Sequence, residues 1–291
     1  MPDINLVPIS PSQLSGTGES GLYDISRFDL AFLAQGDSWF SIGHVPPWST
    51  TNLLQQMVLS KSALAVDCAR PGVELAHMTD TSTAQTFLNL LSGNVAWKWN
   101  AILISGGGND LIDALNADPT ADETVRLLLR SDEWQSTDSV PQRYLSDKGW
   151  DTFTAHMEDV LSLLLEQRDK KDTNLGTPLF LHTYDYVTPR DAPAGPLGPW
   201  LFKALNDTYK VPSSDWMALA DELIDRLAAM WISLGSKYAA RSISIVDTRG
   251  SIARAASGTT GVSGDWENEI HPTPQGYSQL AAKWRPFLDA L

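Results

Sequence analysis

The stretch "FLAQGDSWFS", residues Phe32 to Ser41, decides how the rest of the chain is read. An apolar run stops at Gly36, and an acid, a hydroxyl and a tryptophan follow at once. A strand buried on both faces of a parallel sheet has this look: a continuous apolar run that ends in turn residues. Gly-Asp-Ser is also ordinary turn chemistry. Ser38 therefore gains a chemical meaning only if distant parts of the chain supply partners for it.

The pattern recurs along the chain. "SALAVDCARPG" (62–72), "WNAILISGGGND" (99–110), "TPLFLHTYDY" (177–186) and "RSISIVDTRG" (241–250) are further apolar runs that end in turn residues. Helical spacing separates them. A first helix is predicted from Thr50, with Leu53, Leu54, Met57 and Val58 on one face, and a second over 81–94, ending at Gly93. A third spans 151–171 with Phe153, Met157, Val160, Leu161 and Leu164 aligned. The longest, 213–240, has Ser214 or Asp215 as its cap. The last starts at "HPTPQGY", with Thr273 as N-cap, Pro274 at the first helical position and Pro286 bending its end.

Alternation of strand and helix implies right-handed crossovers and a parallel five-stranded sheet covered on both faces. No repeat or linker divides the 291 residues, so one domain is expected over 1–291. Residues 1–27 read as an N-terminal arm, and about 110–150 and 187–213 as irregular insertions that could form a lid or side wall. In such sheets ligands bind beyond the C-terminal strand ends.

Those ends carry a coherent set. Ser38 follows the first strand, Gly72 the second and Asn109 the third, while His271 lies in "NEIHPTPQGY" near the end of the chain. A serine hydrolase needs a hydroxyl nucleophile, a base and donors for an oxyanion. Ser38 and His271 supply the first two. The backbone N–H groups of Ser38 and Gly72 and the Asn109 side-chain amide could supply the third.

In this order and spacing, "GDSW", "ARPG", "GGND" and "NEIHPT" resemble the four blocks of the SGNH (GDSL-type) hydrolase superfamily. Trp39 stands where the family name has Leu. The resemblance implies a flavodoxin-like three-layer α/β/α sandwich and carboxylic ester hydrolysis through a covalent acyl-serine. Carbohydrate O-deacetylation or acyl transfer by the same residues is the alternative, and a non-catalytic binding protein on the same fold a more distant one.

One position departs from the family. An Asp is usual three residues before the His, and here that residue is Asn268. In serine proteases the equivalent Asp-to-Asn change fixes the wrong imidazole tautomer and costs about 10⁴ in turnover. Asn268 is the positional candidate to orient His271. Glu269, or a carboxylate from elsewhere such as Asp265 or Asp185, is the alternative.

Other readings are blander. "SGGGND" lacks the Lys-Ser/Thr of a phosphate-binding loop. His44, His77, His156 and His182 show no metal-ligand spacing, and His156 reads as an interior histidine. Neither a metal nor a cofactor is expected. Tyr184, Asp185 and Tyr186 read as structural. Trp48, Trp134 and Trp200 fall in or beside loops, where they either pin those loops or line a site.

Composition sets the remaining bounds. Hydrophobic content of 43% supports a sizeable core. A net charge of −14 disfavours nucleic acid and anionic membranes as partners, and the expected partner is a small-molecule or glycan ester. Cys68 is the one cysteine, so no internal disulfide is possible, and its apolar neighbours read as burial. The first residues have neither the basic nor the apolar region of a signal peptide, which reads as a cytoplasmic location, although a processed secreted chain would look the same. No apolar run approaches the length of a membrane span.

Overall fold

The computed structural model describes residues 3–15, 21–41, 51–80, 82–135 and 139–291. His44, Trp48 and the predicted helix start at Thr50 lie outside them.

The strands are β1 (Ile4–Asn5), β2 (Val7–Ile9), β3 (Leu30–Gly36), β4 (Val58–Leu59), β5 (Ala63–Asp67), β6 (Ala101–Ser105), β7 (Leu179–His182) and β8 (Ile243–Val246). The α-helices are α1 (Ser38–Ser41), α2 (Gln85–Leu91), α3 (Gly108–Leu115), α4 (Asp147–Asp169), α5 (Trp216–Lys237) and α6 (Pro274–Leu288). The main sheet is parallel, in the order β2-β5-β3-β6-β7-β8. Its five inner and C-terminal strands, counted in chain order, run 2-1-3-4-5, the flavodoxin-like arrangement. The order reverses between β3 and β6. The crevice above these two strands is where that topology places a ligand.

Every residue of β3 and β6 is buried, as continuous apolar runs in a doubly covered sheet require. Alternate residues serve opposite faces. Phe180 and His182 of β7 meet Phe287 and Trp284 of α6. On the other face Gly235 of α5 lies so close to Ile245 that a Cβ there would stand 2.7 Å from its side chain.

Five features depart from the sequence-based expectation. The sheet has six strands rather than five, because the N-terminal arm adds β2 alongside β5. Pro8 is tolerated in β2 because this strand lies at the sheet edge. The predicted first helix is, among the described residues, a single 3₁₀ turn (Leu54–Gln56) followed by β4. Pairing of Val58 and Leu59 with β1 takes the chain out of helix. The insertion at 110–150 is shorter than expected, since α3 starts at Gly108 and α4 at Asp147, capped by the Ser146 hydroxyl. The segment 187–213 contains a wide helical turn, Lys203–Thr208. Neither Ser214 nor Asp215 caps α5 through its side chain: Asp215 accepts instead from Tyr144 and Ser214.

Elsewhere the side chains do what local chemistry suggests. Thr273 caps α6 by accepting from Gly276 N at 3.2 Å. Burial pushes the Cys68 thiol up, away from reactivity. His156 is exposed, because its position on α4 is turned away from Phe153 and Met157. The interior histidine is His182.

Candidate active site

β3 delivers Ser38 to the crevice through a sharp turn. Asp37 N donates to Ser105 O at 3.0 Å, and a Cβ on Gly36 would stand 2.8 Å from the Ser105 side chain. Only glycine allows this approach of β3 to the end of β6. The Asp37 carboxylate is buried and accepts from Trp39 N (3.0 Å), Ser105 Oγ (2.7 Å) and Tyr184 Oη (2.5 Å). Burial nevertheless raises its pKa to about 6.

A polar chain continues beneath the turn. Tyr184 N donates to His182 Nδ1 at 3.2 Å, so the proton of the neutral ring sits on Nε2, which donates to Ser105 Oγ at 2.9 Å. Ser105 then donates to Asp37. Burial lowers the His182 pKa to about 3, which keeps the ring neutral. Tyr184 adopts φ 61, and its ring presses on Gly108, where a Cβ would stand at 2.8 Å. One tyrosine thus fixes both the Ser38 turn and the start of α3.

The exit from β6 turns at Gly107, whose φ of 100° opens α3. Asn109 follows one residue inside the helix. Its Nδ2 donates to Val73 O at 3.1 Å. An amide nitrogen carries two hydrogens, so one N–H remains for another acceptor. Gly72 precedes Val73 in a left-handed turn (φ 73). It borders a hollow formed with Gln35, Arg70, Val73, His77 and Thr83, whereas Ser38 and Asn109 line a different cavity. The structure therefore brings Asn109 to Ser38 but leaves Gly72 at the rim of the neighbouring hollow.

His271 arrives on the loop before α6. Its Nε2 lies 2.9 Å from Ser38 Oγ and its Nδ1 lies 3.0 Å from Asn268 Oδ1. The same Asn268 oxygen accepts from Ile270 N (3.1 Å) and His271 N (3.0 Å). Two backbone donors converge on this atom, so it must be the carbonyl oxygen and not the NH₂. His271 Nδ1 therefore carries the ring proton, and the Nε2 lone pair faces Ser38. This is the tautomer a catalytic base requires. An Asn whose orientation is free can impose the opposite one; here two backbone N–H groups prevent it. Asn268 brings no charge, and burial alone lowers the His271 pKa to about 4.

The alternative carboxylates are engaged elsewhere. Glu269 accepts from the backbone N of Arg190, Trp200, Leu201 and Phe202. Burial pushes its pKa up to about 7 against those four donors. Asp185 accepts from Tyr186, Gly250, Ser251 and Ile252 N. Asp265 binds Ala253 N and Gln279 Nε2.

Sequence reading gave Trp39 no role in this site and left Trp200 open between pinning a loop and lining a site. Trp39 Nε1 donates to Ile270 O at 3.1 Å, joining the Ser38 turn to the His271 loop, a bond that leucine could not make. Trp200 stands edge-on to the His271 ring, with centroids 5.5 Å apart. Trp134, by contrast, packs on Tyr144 and donates to Leu129 O. No cluster of His, Cys, Asp and Glu capable of holding a metal occurs among the described residues.

No protein-family model matches the chain, and no curated protein sequence does. Solved structures do. One is an extracellular lipase from Streptomyces rimosus: 14% identity, TM-score 0.49, covering 90% of this chain and 99% of that one. Another is phospholipase A1 from Streptomyces albidoflavus NA297: 12% identity, TM-score 0.45, covering 90% and 98%. A third is an acetylxylan esterase from Geobacillus stearothermophilus: 12% identity, TM-score 0.46, covering 88% and 92%. At these identities and scores, what this chain does has to be argued from its own site.

Proposed function

We propose that this protein is a serine-dependent carboxylic ester hydrolase of the SGNH type. The observation that carries the reading is the aligned chain Ser38 Oγ, His271 Nε2, His271 Nδ1 and Asn268 Oδ1, with contacts of 2.9 and 3.0 Å.

In this reading His271 Nε2 takes the Ser38 proton as Oγ bonds to the ester carbonyl carbon. The C=O electron pair moves onto oxygen. The free Asn109 N–H and the Ser38 N–H hold that oxyanion. Gly72 borders the neighbouring hollow and is not assigned a place in this oxyanion hole; its neighbour Val73 orients Asn109 through its carbonyl. The oxyanion collapses, the ester C–O bond breaks, and the imidazolium protonates the departing alcohol. Water, deprotonated by the same Nε2, then attacks the acyl carbonyl; the oxyanion collapses, the Ser38 Oγ–C bond breaks, the imidazolium returns its proton to Ser38 Oγ, and the acid leaves.

Asn268 orients the ring but leaves the imidazolium without a countercharge. It keeps the tautomer function of a triad acid and gives up the electrostatic one.

A fluorophosphonate probe tests the proposal. Covalent labelling of the protein, lost in Ser38→Ala, is expected. Labelling that persists in Ser38→Ala, or that never occurs in the folded wild type, would sink it.

A further inference from the structure

Ser38 and Asn109 line a cavity of about 40 Å³. Its wall is apolar, from Leu111 and Ile112 of α3, Val187 and Leu201 of the 187–213 segment, and Ile224 and Leu227 of α5. The polar side chains at its edge are already engaged: Tyr184 Oη donates to Asp37, and the Asp185 carboxylate accepts four N–H groups. Apart from Ser38 and the free Asn109 N–H, both assigned to the reacting carbonyl, the lining suits an apolar substituent better than a charged or hydroxylated one.

Its position identifies the part of the substrate it would take. The leaving oxygen must lie within hydrogen-bond reach of His271 Nε2 to be protonated. Neither His271 nor Trp200 lines the cavity. The substituent inside it is therefore on the acyl side of the carbonyl, and the alcohol lies toward His271.

Its size sets a limit. One water-sized group needs roughly 10–15 Å³ of such space, so this cavity takes roughly three carbon-sized groups.

Building on the esterase reading, we infer that this cavity is an acyl pocket that restricts the enzyme to esters of short, uncharged acids, from acetyl to butanoyl.

A panel of p-nitrophenyl esters from acetate to dodecanoate tests it, because the leaving group stays constant. The wild type should show its highest kcat/KM at acetate to butanoate, falling by about ten-fold or more at octanoate. Ile224→Ala opens the wall and should move the optimum to hexanoate or longer. Ile112→Phe fills the pocket from a half-buried position, and its butanoate-to-acetate ratio of kcat/KM should fall well below the wild type's. A wild-type profile that is flat or rises to octanoate overturns the inference alone, with the esterase reading intact. So does an unchanged profile in both variants. Absence of hydrolysis on every ester, together with absence of fluorophosphonate labelling, overturns both.

Discussion

The segments 116–146, between α3 and α4, and 187–213, after β7, look alike in sequence: both are long and irregular. The structure gives each a buried charged anchor, but anchors them to different things. In the first, Glu133 grips the Arg126 guanidinium (2.8 and 3.0 Å) and Arg130 N (2.7 Å), all within the segment itself. In the second, the four backbone donors of the segment converge on Glu269, which lies outside it, two residues before His271. Arg190 Nη2 adds a bond to Asn268 O. The first segment's anchor is internal, and the segment is also joined to Asp215 through Tyr144 and to Tyr209 through Ala117 O. The second is tied to the loop that carries the base, so its order and the placement of His271 form one unit.

Glu269→Ala should break that unit with the largest effect. It strips a buried acceptor from four N–H groups and costs at least about 3–5 kcal/mol. Thermal unfolding should fall accordingly. In the fraction that stays folded, kcat/KM for a short ester should drop about 100-fold, the scale of a misplaced base. Glu133→Ala is the matched perturbation. It leaves the Arg126 guanidinium buried with fewer partners and costs about 3 kcal/mol, at the lower end because Glu133 retains some solvent. Its kcat/KM at a temperature where it is folded should equal that of the wild type. Equal losses of activity in the two variants would erase the distinction between the segments.

Sequence alone reached the sheet, because its strands are continuous apolar runs whose burial is dictated by two covered faces. It singled out Ser38, Asn109 and His271 as candidates, because each stands at a strand end or before a capped helix, and the structure brings the three to one crevice. It did not reach β2: three residues containing Pro8 carry no period, and only β5 makes them a strand. Nor did it see that Gly107 starts a helix, since a glycine run reads as a turn until its φ is known. Asn268 was legible as a position but not as a solution. Its competence depends on which end of the amide faces the ring, and the N–H groups of Ile270 and His271 decide that. Trp39 lies furthest from sequence inference, because its bond to Ile270 O spans most of the chain. The same holds for Glu269: its spacing suggested an acid for the imidazole, while its surroundings make it the anchor of a segment some 70 residues upstream.

The smallest expected effect sharpens the comparison most. Trp200 keeps its backbone N on Glu269 whatever its side chain, so Trp200→Ala removes the indole from the His271 ring without releasing the segment. Burial is the cause that holds His271 near 4, and admitting water moves it back toward 6.5. The base works only when neutral, so activity is present above its pKa and lost below it. The wild-type kcat/KM should accordingly hold down to about pH 4–5. In Trp200→Ala the acid limb should move up by about one pH unit, with the plateau near pH 8 little changed. Trp134→Ala makes the same deletion in the first segment, where the indole packs on Tyr144 rather than on the imidazole, and should leave the limb where it is. A limb that moves equally in both variants would mean that neither segment controls the environment of His271, and the division between them would be one of sequence only.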